Sequence, residues 1–133
     1  MKNTIEEIEN DFWGDPEYHS HLVVTCHNLR KKNLDEFEIE DLRIMISQNI
    51  ALPVLIPLAV KELKENIFAE GPYYEGDLLK AVLTSEKEYW DKNETAKEDL
   101  ISMVASHFGK IQEMDTSAEI KTSILDAWEN FKR

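Results

Sequence analysis

Residues 50–60 read IALPVLIPLAV, eleven positions without a charge or a hydrogen-bonding side chain, in a chain that is 32% charged. At about 1.5 Å per helical residue the run covers about half of a hydrocarbon core, too short for a membrane crossing. No face of it sits well in water, so it reads as a central element wrapped by its neighbours. Lys61-Glu62-Leu63-Lys64-Glu65 then restores helical periodicity, which favours a buried helix over a buried strand. Pro53 suits a first helical turn, where its missing N–H has no partner to lose. Pro57 removes a ladder bond and crowds the Pro53 carbonyl, which costs about 3 kcal/mol in a helix interior. Either the helix starts near Pro57 with 50–56 as an irregular entry, or it bends there; it runs to about Asn66.

Upstream, Thr4-Ile5-Glu6-Glu7 has the form of a capping box. It opens a short helix ended by Phe12-Trp13-Gly14-Asp15-Pro16, with Gly14 supplying a left-handed turn. Phe12 and Trp13 are expected to fold back as lids on the core. Ser20 caps a helix over about 20–32, although Val23, Val24 and Thr25 also suit a strand. Residues 34–39 connect to a third helix, whose first turn holds Glu40 and Asp41 and whose inner face holds Leu42, Met45 and Ile46. Downstream, residues 69–77 (AEGPYYEGD) form a loop in which Gly76 requires a positive φ and Asp77 serves as an N-cap. Leu78, Leu79, Val82 and Leu83 predict a fifth helix continuing weakly to Trp90. Thr95 and Glu98 stand at capping-box spacing before a sixth, through Leu100, Val104, Phe108 and Ile111. Ser117 caps the last, with Ile120, Ile124, Leu125, Trp128 and Phe131 on one face. The expectation is an all-α, single-domain bundle over 1–133, six to seven helices around a buried central one.

Fifteen basic against twenty-seven acidic residues give a net charge of −12. That surface repels phosphate backbones, which argues against nucleic acid as a partner, and favours encounter with a basic protein. A lone cysteine excludes a disulfide framework, and the N-terminus MKNTIEEIEND has no apolar h-region, so a soluble cytoplasmic protein without a membrane segment is expected.

Candidate chemistry is sparse. On a helix His19 and His21 diverge by about 200°, and no third ligand aligns with them, so no metal site is expected. Cys26 and His27 point about 100° apart on a helix and make no nucleophile–base pair. No GxSxG, P-loop, GxGxxG or HExxH string occurs, and no carboxylate sits in an apolar run. No catalytic residue and no cofactor are assigned. The acidic–aromatic loop around Tyr73 and Glu75 instead suits an anchor for a basic partner, or a tyrosine packed beneath its own loop.

Asp11-Phe12-Trp13-Gly14, Cys26-His27-x-Leu29-Arg30, Glu40-Asp41-Leu42-Arg43-x-x-Ile46-x-Gln48-x-Ile50-x-Leu52-Pro53-x-Leu55-x-Pro57-Leu58-Ala59 and Glu70-Gly71-x-x-Tyr74-x-Gly76-Asp77-Leu78-Leu79 together carry a family resemblance. Over residues 4–83 the chain resembles the immunity proteins of bacterial contact-dependent growth inhibition systems, in their all-helical branch. Glu75 stands where the family pattern has a proline before Gly76. The resemblance implies a non-enzymatic cytoplasmic inhibitor, a monomer when free. It would form a heterodimer with the C-terminal toxin domain, commonly a basic nuclease, of a neighbouring cell's effector. Its quoted residues read as fold residues, with Trp13, Pro53, Pro57 and Gly76 setting turns and packing. Toxin contacts are therefore expected from exposed acidic and aromatic side chains: Asp11, Asp15, Glu17, Tyr18, Tyr73 and Glu75, with Glu36 and Glu38. The rivals are a self-associating regulatory or adaptor bundle and a small hydrolase, which would need a convergent polar pocket.

Overall fold

The computed structural model describes residues 3–14 and 20–133, and among them it is all-helical. Nine α-helices follow in order: α1 Ile5–Glu9, α2 His21–Lys31, α3 Ile39–Ser47, α4 Leu52–Glu65, α5 Asp77–Leu83, α6 Lys87–Asp91, α7 Glu94–Ser106, α8 Phe108–Gln112 and α9 Ala118–Lys132. A single 3-10 turn, Leu34–Glu36, lies between α2 and α3. None of these helices is long and apolar enough to cross a membrane.

Capping chemistry sets many of the boundaries. Thr4 and Glu7 form the expected capping box on α1, Ser20 Oγ accepts the Val23 N–H at α2, and Ser117 Oγ accepts the Ile120 N–H at α9. α1 ends sooner than its sequence suggests. Asn10, not Gly14, takes the left-handed C-cap (φ 53°), and Gly14 (φ 70°) lies in the arm beyond.

The greasy run forms α4, which starts at Leu52 rather than near Pro57. Ala51 precedes it in the left-handed region, Pro53 sits in the first turn and Pro57 lies inside the helix. Both prolines point to solvent, so the carbonyl that loses its Pro57 partner belongs to an exposed residue. Leu52, Leu55, Ile56, Ala59 and Leu63 form the buried stripe. α5 shares the centre with α4: every residue from Asp77 to Leu83 except Lys80 is buried, and it packs on α3, α4 and α9.

Two expected helices are each divided, which accounts for the larger number. After α5, the Thr84 hydroxyl turns back to the Lys80 carbonyl and Ser85 Oγ donates to the Val82 carbonyl at 2.6 Å. Ser85 Oγ also accepts the buried Trp90 Nε1–H at 2.8 Å, and Asn49 Oδ1 takes the Glu86 N–H. Side chains thus replace the ladder between α5 and α6. Likewise Ser106 Oγ and the His107 ring both bond the Met103 carbonyl where α7 gives way to α8. Thr95 falls inside α7, whose cap residue is Asn93. Trp90 sits edge-on to Phe131 at 5.0 Å, so α6 closes against α9.

Candidate functional site

Three groups of exposed carboxylates and aromatics stand on the surface, each built against a cation supplied by α2, α3 or the residue that follows α2. The first is the arm Asn10–Gly14. Arg30 of α2 is 1% exposed and donates from Nη1 to Glu9 Oε1 at 2.6 Å and from Nη2 to the Asp11 carbonyl at 2.5 Å. Its guanidinium lies 4.2 Å from the Trp13 ring, while the exposed Asp11 carboxylate stands at 3.9 Å and accepts the Trp13 indole N–H. His27 meets the Trp13 ring edge-on and its Nδ1 lies 3.3 Å from the Gly14 carbonyl, which assigns the proton to that nitrogen. Residues 11 and 13 therefore face Arg30, and the residue between them faces away. Trp13 covers Arg30 while staying 40% exposed, and Phe12 is 63% exposed. The expectation that both fold back as lids on the core fails for Phe12, because Arg30 holds the residues on either side of it and leaves the phenyl ring exposed.

The second group is the loop before α5. Gly76 has φ 91° and takes the N-cap position, and a Cβ there would sit 3.0 Å from Ile124 Cδ1, so the expected need for glycine is met. Asp77 is not the cap. Its buried carboxylate reaches back to accept the Gly71 N–H at 2.6 Å and the Tyr73 N–H at 3.1 Å. Glu70 and Glu75 face each other across an isolated antiparallel bridge. Tyr73 is 70% exposed, with Arg43 of α3 4.5 Å above its ring. Tyr74 is the tyrosine that packs under the loop. Burial, then the neighbouring Asp77 carboxylate, raises its phenol above the ordinary range, against a smaller pull from Arg43. Glu70, Tyr73 and Glu75 thus stand exposed on a loop fixed from below.

Glu36 and Glu38 make the third. Glu36 ends the 3-10 turn and Glu38 precedes α3, both exposed. Beside them Lys32 Nζ donates to Asp41 Oδ2 at 2.7 Å, and the same oxygen accepts the Glu38 N–H. The Lys32 ammonium is held above its usual range by that hydrogen bond first, with the charges of Glu38 and Glu36 adding to it. Among the described residues no hydrogen bond or ion pair joins one group to another. Asp15, Glu17 and Tyr18 lie outside the described residues, as does His19.

The sequence marks the organising residues, Arg30 and Arg43, only as fold residues of the family pattern and does not show what they hold. A buried arginine leaves no periodic trace, since Arg30 occupies a stripe position that an aliphatic residue would fill equally well. The Nε of each is buried without a partner among the described residues. Beside Trp13 a cleft of about 230 Å³ opens between Leu22, Cys26, His27 and Ile50. Burial raises the Cys26 thiol, the reverse of what an activated nucleophile needs. Among the described residues no three His, Cys, Asp or Glu side chains gather in a way that could hold a metal ion.

Fold and surface together define an acidic, all-helical chain in which Arg30, Asp77 and Asp41 hold loops that carry exposed acidic and aromatic side chains. A sequence model of CDI immunity proteins matches residues 7–100, and the chain belongs to that family. The match runs beyond the resemblance at 4–83, through α6 and into α7. No curated protein and no solved structure matches the chain significantly.

Proposed function

We propose that this chain binds and neutralises the C-terminal toxin domain of its cognate contact-dependent growth inhibition effector, and that the toxin is a basic nuclease. The observation that carries the reading is membership of the CDI immunity family over residues 7–100. The net charge of −12 supports it, because carboxylates arrayed on a rigid exterior mimic the phosphates a nuclease binds. Inhibition on this reading is occlusion: a protein surface covers the toxin's active site or substrate track, and no bond is made or broken.

The toxin-facing side chains are Asp11, Tyr73 and Glu75, with Glu36 and Glu38 at the rim and Asp15, Glu17 and Tyr18 following Asp11 in the chain. Preorganisation supports the assignment for Asp11 and Tyr73: Arg30 and Asp77 hold their backbone, the Trp13 indole holds the Asp11 carboxylate and Arg43 stacks on the Tyr73 ring, so they lose less freedom on binding. The protein acts in the cytoplasm of the cell it protects, as a monomer until the toxin arrives.

The test is co-expression. Cells producing the toxin domain of the adjacent effector gene should stop growing and lose intact nucleic acid, and this chain should restore both. Growth arrest that persists with the chain abundant and folded would refute the reading.

A further inference from the structure

Five large apolar side chains are well exposed among the described residues, and four of them lie in α1, α2 and the arm between: Ile8, Phe12, Trp13 and Leu22. The arm has no regular structure, yet the buried Arg30 grips it through the Asp11 carbonyl and the Trp13 ring. That grip does nothing to bury Phe12, which it holds out in water. Next to Trp13 lies the cleft of about 230 Å³ whose walls are Leu22, Cys26 and Ile50. A protruding phenylalanine one position before a tryptophan that lines an open apolar cleft offers an anchor and a receiving pocket on one short arm.

Charge selects the occupant. Residues 3–14 hold Glu6, Glu7, Glu9 and Asp11 and no lysine or arginine, while the charge of Arg30 is turned inward onto Glu9. A second copy would bring the same carboxylates and be repelled, whereas a cationic surface is attracted. Resting on the toxin-binding reading above, we propose that this face is the hot spot of the toxin interface. An apolar side chain of the toxin enters the cleft between Trp13, Leu22 and Ile50. Phe12 packs against the toxin beside it, and a lysine or arginine of the toxin faces Asp11. Phe12, Trp13 and Leu22 thereby join contacts otherwise expected to be acidic or tyrosine.

The experiment is calorimetric titration of the purified toxin domain into wild type, Leu22→Glu, Phe12→Ala and, as a remote control, Glu119→Lys on α9. The substituted side chains are exposed, and circular dichroism melts establish that each variant folds. L22E and F12A should each weaken binding by about 30-fold or more while E119K leaves it unchanged. Acrylamide quenching gives an independent reading, because Trp90 and Trp128 are buried and Trp13 is the exposed tryptophan. The quenchable signal lost in a W13F variant should also be lost when wild type binds the toxin. Wild type that binds tightly while L22E and F12A bind equally well, with Trp13 still quenched, overturns this inference and leaves the toxin-binding reading standing. Wild type that fails to bind overturns both. A self-associated wild type that L22E converts to monomer would assign the face to a second copy and overturn the inference as well.

Discussion

Replacing Asp77 by alanine tests how the loop before α5 is held. Asp77 is 3% exposed, and its carboxylate accepts the N–H of Gly71 at 2.6 Å and of Tyr73 at 3.1 Å. Hydrogen bonds to a charged acceptor contribute about 1.5–3 kcal/mol each, and alanine leaves both donors without a partner. Water entering the loop recovers part of that loss, which sets the expected destabilisation at about 3 kcal/mol. With a urea slope of about 2 kcal/mol/M, the unfolding midpoint falls by about 1.5 M. Asn in place of Asp keeps one carbonyl oxygen but turns an amide N–H toward the second donor, so it should lose about half as much. Hydrogen exchange at Gly71 and Tyr73 should accelerate in both variants. A D77A midpoint equivalent to less than about 0.5 kcal/mol of change, with exchange unaltered, would show that the carboxylate does not hold the loop.

Glycine substitutions should act with opposite signs. Gly76→Ala meets a positive φ and the Ile124 methyl at 3.0 Å, and should destabilise by about 1–3 kcal/mol, whereas Gly109→Ala, with open space around it in α8, should stabilise by about 0.5–1 kcal/mol; thermal melts of both decide. Glu9→Ala strands the guanidinium of Arg30, still held by the Asp11 carbonyl and the Trp13 ring, and should cost about 2–3 kcal/mol by urea unfolding. Above about pH 10 the protein should lose stability. Tyr74 and Tyr89, raised by burial, and Lys32, raised by its bond to Asp41, all hold their protons more tightly when folded. Their contribution is complete below the unfolded-state values and disappears as the pH rises through the folded ones. A urea midpoint that stays level from pH 9 to 12, or a Tyr74→Phe, Tyr89→Phe double variant as alkali-sensitive as wild type, would contradict this.

Helix-forming chemistry was largely readable in the sequence. Thr4, Ser20 and Ser117 are caps because each side chain satisfies an N–H a few residues away, and such short-range signals survive in one dimension. The broken helices were not readable. Thr84, Ser85 and Ser106 look like tolerable helix residues until their hydroxyls are seen bonding back to carbonyls, and Ser85 also accepts the indole N–H of Trp90, which packs on Phe131. The site divides along the same line. Gly76 is legible as a positive-φ turn, whereas the sequence leaves open whether a loop tyrosine is exposed or packed, and the structure exposes Tyr73 and leaves Tyr74 half-buried. Asp77 was read as a cap because N-caps and buried loop anchors have the same sequence appearance. Phe12 reads as a lid on the core because hydrophobicity alone does not say which way an irregular arm turns its side chains. What turns it outward is Arg30, nineteen positions from Asp11 in the chain.

The central claim, a rigid acidic exterior that covers a toxin, is tested most directly by titrating the purified toxin domain of the adjacent effector with this chain at several salt concentrations. The account predicts a one-to-one complex in the nanomolar range whose association slows as salt is raised, with toxin activity falling in proportion to the complex formed. A toxin that stays fully active with a large excess of folded protein present would contradict it.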